Sequence, residues 1–245
     1  MIKKNLIPKS IFDESFDKNS IGWCSQDNLP RLFKVKEGTV FVHDIGTLRY
    51  IPIARQTRIN LITVDNPRKS FSEYIKDFDP KLETSIHPSV KIGSNTIIHK
   101  GTIIEDDVVI GDNCTIGADG FGYEEGELLN HIGNVVIKSG VHIGNNTCID
   151  KAVLGSTIIG NNVKIDNLVH IAHGVVIGER SLIIAGSVLC GSVRIGSDCW
   201  IAPNSSVHQS VVIGDNVTVG LGSVVLKDIE SNCTVAGVPA KKINK

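Results

Sequence analysis

From Ile86 onward an aliphatic side chain returns at every sixth residue. The series runs Ile86, Ile92, Ile98, Ile104, Ile110 and Ile116, and resumes at Ile137, Ile143 and Ile149. After a four-residue step it continues as Val153, Ile159, Ile165, Ile171, Ile177, Ile183, Leu189, Ile195, Ile201, Val207, Ile213, Val219 and Val225. All 22 positions hold Ile, Val or Leu, and two residues before them stand small or β-branched side chains such as Thr96, Val108, Cys114, Val163, Ser187 and Cys199. Neither a helical period of 3.6 nor simple alternation holds such a register. A repeat of six with one large and one small inward residue predicts a narrow three-faced prism of short parallel strands, a parallel β-helix. Three hexads close one coil, so the series predicts about seven coils over residues 86–230. Cys114 and Cys199 fall at small inward positions and are expected to pack.

Residues 1–85 lack the repeat and read as a small α/β domain. Gly38–His43 and Ile59–Val64 are apolar, β-branched runs expected to be strands. Asp65-Asn66-Pro67 offers a cap and an N-terminal proline, and Ser70 to Phe78 reads as a helix with Phe71, Tyr74, Ile75 and Phe78 on one face. The repeat is interrupted at residues 118–134, an excursion that begins Ala-Asp-Gly-Phe-Gly-Tyr. A loop on a rigid scaffold is where function tends to collect. Residues 231–245 form a tail, too short for another domain, that caps the prism or projects from it.

Composition narrows the picture. Lys and Arg number 25 against 26 acidic residues, so no basic field is available for a nucleic-acid backbone. No apolar run is long enough for a membrane span and no signal peptide is present, which predicts a cytoplasmic chain. The six cysteines form no C-x-x-C pair and read as reduced thiols.

Four longer motifs carry a family resemblance. Gly117-Ala-Asp-Gly-Phe-Gly-Tyr123, the run from Ile149 to Gly160 that opens Ile-Asp-Lys-Ala-Val-Leu-Gly, and the run from Ile165 to Gly178 containing Ile-Ala-His-Gly resemble the UDP-3-O-acylglucosamine N-acyltransferases of lipid A synthesis. Val64-Asp-Asn-Pro-Arg68 and Ile86-His-Pro-Ser-Val90 do so as well. The resemblance covers nearly the whole chain and implies a left-handed helix and a homotrimer. Two departures shape the expected function. The tail Ala236-Gly-Val-Pro-Ala-Lys-Lys-Ile243 resembles coenzyme A-dependent sugar acetyltransferases and stands where that family continues into a helical extension. The segment around Phe41 also lacks the family's Asn-x-x-Tyr uridine contact. The expected activity is therefore transfer from acyl-CoA to the amine of a nucleotide-linked amino sugar for a surface polysaccharide. The alternative is the lipid A step itself, with acyl carrier protein as donor.

Acyl transfer to an amine needs a base, a donor for the developing oxyanion and a place for the thioester. By the resemblance His173 is the base, and its place two residues after Ile171 turns it outward. One 18-residue coil further on lies Gly191, whose N–H is the candidate oxyanion donor. Asp166, seven residues before His173, is a candidate to orient the imidazole, with turn chemistry as the alternative. His170 either shares the site or lines it. Asp119, Phe121 and Tyr123 resemble the sugar-side loop. Phe41, His43 and Tyr50 are candidates for base stacking, and Lys241 and Lys242 for the phosphates of coenzyme A. No metal is expected, because the spacing His170-x-x-His173 differs from the Gly-His-x-x-x-x-His of zinc carbonic anhydrases built on similar prisms. A scaffold that binds a nucleotide sugar without turnover is the remaining reading.

Overall fold

The computed structural model describes residues 6–11, 14–43 and 58–243. The chain divides into two compact units, Met1–Phe78 with Gly122–Asn130, and Asp79–Phe121 with His131–Lys245.

The second unit is the β-helix. Two of its faces carry seven strands each and the third carries nine, all parallel except the last strand of the third face. Successive coils stack in register, so that Ile149, Ile171 and Leu189 are neighbours on one face, as are Ile165 and Ile183 on the next and Ile159 and Ile177 on the third. These side chains fill the prism and are essentially free of solvent, each contributing about 1.5–3 kcal/mol relative to exposure. Ile86 and Ile92 have a neighbouring coil on one side only, at Ile104 and Ile110, and stay 40 % and 41 % exposed. The hydroxyls and thiols of most small inward residues are buried among them, Cys114 and Cys199 included, while Thr96 near the first coil is only partly buried.

One position of the series departs from expectation. Val153 is not an inward residue. After the strand Cys148–Lys151 the chain bulges, and the next strand, Ser156–Ile159, restores the register with Thr157 and Ile159 facing inward. Lys151 explains the error, since it stands two residues before Val153, where a small residue belongs.

The first unit is a four-stranded parallel sheet, ordered Ile7–Pro8, Ser20–Cys24, Gly38–His43, Ile59–Val64, with a 3₁₀ helix at Gln26–Lys34 and an α-helix at Pro67–Ile75. Both expected strands are present. The helix begins three residues before the expected start, because the Asn66 side chain accepts the Lys69 N–H at 3.0 Å and Pro67 occupies the first turn. It ends before Phe78, where the Asn130 amide donates to the carbonyls of Ile75 (2.8 Å) and Phe78 (3.0 Å). The middle of the excursion belongs to this unit. It is a hairpin, Tyr123–Glu124 against Glu127–Leu128, whose Glu124, Glu125 and Glu127 pair with Arg68, Lys69 and Lys76 of the helix segment. Among the described residues no helix is long and apolar enough to cross a membrane.

Candidate active site at the interrupted coil

His173 sits in the turn that follows the strand His170–Ile171, half-buried. Its carbonyl accepts the Ser192 N–H at 2.9 Å, and the N–H of the next residue, Gly174, donates to the Thr157 hydroxyl at 2.8 Å. Gly174 has φ +70, a conformation that glycine takes without cost. The imidazole rests on Gly191, as the one-coil spacing predicts. A methyl group added at Gly191 would stand 2.7 Å from Cε1 and Nε2 of His173. Any side chain here would displace the imidazole.

The other groups at this corner come from the interruption. Gly120, at the start of the excursion, is hemmed in by three side chains. A Cβ there would meet His173 Cβ at 3.0 Å, Asp150 Oδ2 at 3.2 Å and His131 Nε2 at 3.2 Å. The His131 ring is buried and meets His173 edge to face, with centroids 5.7 Å apart and planes at 77°. Asp150 is 13 % exposed at the side chain, and its Oδ2 lies 3.8 Å from His170 Nε2. Burial pushes the Asp150 carboxyl above the ordinary aspartate range; His170 works against that shift and Asp119 adds to it. Asp119 in turn pairs with Lys151 at 2.7 Å. The result is a compact corner holding three histidines and a largely buried carboxyl.

The structure thus brings together His173, Gly191, His170 and Asp119. Asp166 is not at this corner. It follows the strand Lys164–Ile165, one face away, where Oδ1 accepts the backbone and side-chain amides of Asn167 at 2.7 and 3.0 Å and Oδ2 accepts the Ala185 N–H at 3.3 Å. Within one chain its carboxylate therefore does turn chemistry. Phe121 is 87 % exposed beside Gly120, and Tyr123 belongs to the hairpin of the first unit. Phe41 is 2 % exposed inside its sheet and offers no ring face for stacking. His43 Nδ1 lies 3.4 Å from the Gln26 amide. Tyr50 lies outside the described residues. Lys241 and Lys242 lie in an exposed strand antiparallel to Thr234–Ala236. Among the described residues no three His, Cys, Asp or Glu side chains are grouped to hold a metal ion.

Sequence reasoning missed His131 and Asp150. The Asp150 motif, Ile-Asp-Lys-Ala, was legible, but Asp150 pairs with Ala118 only through a register shift between Ile116 and Ala118 in the neighbouring strand, which no period shows. His131 carries no periodic signal at all.

A prism of hexads with a histidine seated on the glycine of the next coil defines a hexapeptide-repeat transferase. The family model for the bacterial transferase hexapeptide (six repeats) matches residues 84–119, 156–191 and 192–227, and the hexapeptide repeat of succinyl-transferase matches 174–209. The first model skips the interrupted coil. A Helicobacter pylori UDP-3-O-acylglucosamine N-acyltransferase is 38 % identical over 278 residues, covering 93 % of this chain and 81 % of its own. That of Campylobacter lari is 39 % identical over 225 residues, 73 % and 70 % of the two chains. The Wolinella succinogenes protein of the same name is 41 % identical over 165 residues, 63 % of this chain and 48 % of its own. A crystal structure of UDP-N-acetylglucosamine acyltransferase superposes with a TM-score of 0.50 at 22 % identity over 64 % of this chain and 70 % of its own, a likeness of fold. The chain belongs to the UDP-3-O-acylglucosamine N-acyltransferase family. It spans about half or less of the length of several relatives, 48 % of the Wolinella protein and 33 % of one from Francisella tularensis.

These relatives correct two expectations. The acyl-CoA-dependent transfer for a surface polysaccharide, drawn from the tail and the missing Asn-x-x-Tyr pattern, gives way to the alternative reading, because the relatives are named UDP-3-O-acylglucosamine N-acyltransferases. With it goes coenzyme A as donor and the role given to Lys241 and Lys242, whose strand completes a sheet edge.

Proposed function

We propose that this chain transfers an acyl group from acyl carrier protein to the amine of UDP-3-O-acylglucosamine, as a cytoplasmic homotrimer. The observation that carries the reading is the seating of His173 on Gly191, with Gly120 of the excursion against it, in a chain 38 % identical to a relative of that name.

His173 acts as general base. The substrate amine attacks the thioester carbonyl, and His173 takes the proton that the nitrogen loses as the C–N bond forms. The oxyanion that develops is met by the Gly191 N–H, and collapse breaks the C–S bond, with the proton passing to the departing thiolate. His131 and Asp150 shape the wall behind the base and Asp119, Phe121 and His170 form the sugar side.

Purified protein supplied with UDP-3-O-acylglucosamine and acyl-carrier-protein thioester, followed by mass spectrometry, is expected to form the doubly acylated sugar nucleotide. His173→Ala should lose at least about a hundredfold in kcat, within the range for removal of a general base. Failure of the wild type to form product, or an unimpaired His173→Ala, would overturn the assignment, and silence with the nucleotide sugar still bound would favour a binding scaffold.

A further inference from the structure

We propose that Thr157 is a positioning residue for His173: its hydroxyl ties the His173 turn to the strand of Asp150 and so keeps the imidazole seated on Gly191. The inference rests on the catalytic reading of His173.

The geometry departs from the rule of the scaffold. At Thr96, Ser181, Ser187 and Ser205 the inward hydroxyl donates forward to a carbonyl fifteen residues on, at Gly111, Gly196, Ala202 and Gly220, over 2.7–3.1 Å. Thr147 does the same to Asp166 across the inserted residues. Three of these hydroxyls also accept an N–H one coil on: Thr96 and Ser181 eighteen residues on, from Cys114 and Cys199, and Thr147 from Val169 across the inserted residues. By that rule Thr157 would donate to the carbonyl of Ala172. Instead it donates backward to the Asp150 carbonyl at 2.7 Å and accepts the N–H of Gly174, one residue short of the regular partner, at 2.8 Å. Thr102, which faces the coil where the excursion leaves, likewise turns back, to the His99 carbonyl at 2.8 Å.

Thr157 is fully buried, so both bonds are shielded from water and neither partner finds a solvent substitute. The bond to Gly174 acts on the peptide adjoining His173, and the Ser192 N–H holds the His173 carbonyl from the other side. The Asp150 end fixes the strand whose carboxylate closes the corner. One hydroxyl therefore joins the base, the interrupted coil and the buried carboxyl.

Thr157→Val tests this without threatening the prism, because valine already fills the corresponding inward positions at Val163, Val169 and Val175, all buried. The expected result is a cooperative melt, a kcat lower by roughly ten- to hundredfold as the base loses its seat, and a KM for the nucleotide sugar within about twofold. Thr157→Ser, which keeps the hydroxyl, should recover most of kcat. A kcat unchanged in Thr157→Val, a serine variant as slow as the valine one, or a loss confined to KM would each overturn the proposal. A second readout is the rate of His173 modification by diethyl pyrocarbonate, read by peptide mass, which should change severalfold in Thr157→Val and return in Thr157→Ser. Should the wild type turn over no sugar, the proposed function fails and this reactivity alone decides: an unchanged rate would sink the positioning role too.

Discussion

The coils from Ile159 to Val225 and the coil from Ile116 to Ile149 use the same hexads to different ends. In the former, each inward aliphatic is stacked between its equivalents and each corner repeats the last, so every contact supports the next coil. Repetition of this kind gives approximately additive, nearest-neighbour stability. In the latter the excursion after Asp119 breaks the repeat, and the bulge after Lys151 breaks it again just beyond; His131, Asp150 and Gly120 lie beside His173, while Thr157 keeps its inward place but changes its hydrogen-bond partners. Regularity makes a rigid column; chemistry gathers where it fails.

Mutations in the two regions should separate along that line. The largest effect is expected from Ile171→Ala, which opens a cavity between Ile149 and Leu189 in the shared core and should cost about 2–5 kcal/mol by denaturant unfolding. A loss under about 1 kcal/mol would mean that neighbouring coils collapse into the space. Gly191→Ala comes next and should act on rate. Its methyl would be forced against the imidazole, whereas Gly178→Ala, in a regular coil, would meet the backbone carbonyl carbon of Gly196 at 2.5 Å. The first is expected to lower kcat about tenfold with a small change in melting temperature, the second to lower the melting temperature first. Equal losses of stability in both would erase the distinction. The smallest effect concerns Asp150. Burial raises its carboxyl above the value it has in the unfolded chain, so the folded state holds that proton more tightly, and this group's contribution to stability falls as pH rises from about 4, the unfolded value, through the raised folded one. Asp150→Asn removes that penalty. The variant should gain a little stability at pH 7 relative to wild type and show none of the gain at pH 3, measured by urea midpoints; a gain equal at both pH values would contradict the direction of the shift.

Much of this was legible in the chain. The hexads locate the inward residues because a narrow prism admits only one large and one small side chain per face, and counting one coil forward from His173 lands on Gly191. Val153 escaped because it is aliphatic in the right arithmetic place, and only its neighbour Lys151 betrays the break. His131 escaped for a different reason: the excursion leaves the prism and returns, and where it returns depends on tertiary contacts that no period encodes; Asp150 stands in register beside Ile149, and only its burial, invisible in the sequence, marks it out. Of the two readings of Asp166, its hydrogen bonds within one chain match turn chemistry, because the seven residues to His173 carry the chain round a corner to another face. The N-terminal helix was read three residues late because its cap, Asn66, outweighed the apolar stripe that suggested the later span.

The last strand, Lys241–Ile243, was described as completing a sheet edge. A parallel column has, at its final coil, a row of unpaired backbone groups on which another column can grow. By turning back antiparallel to Thr234–Ala236 with its lysines exposed, Lys241–Ile243 gives the third face, among the described residues, an outer strand of opposite polarity that carries like charges, the kind of edge that natural sheets use against edge-to-edge pairing.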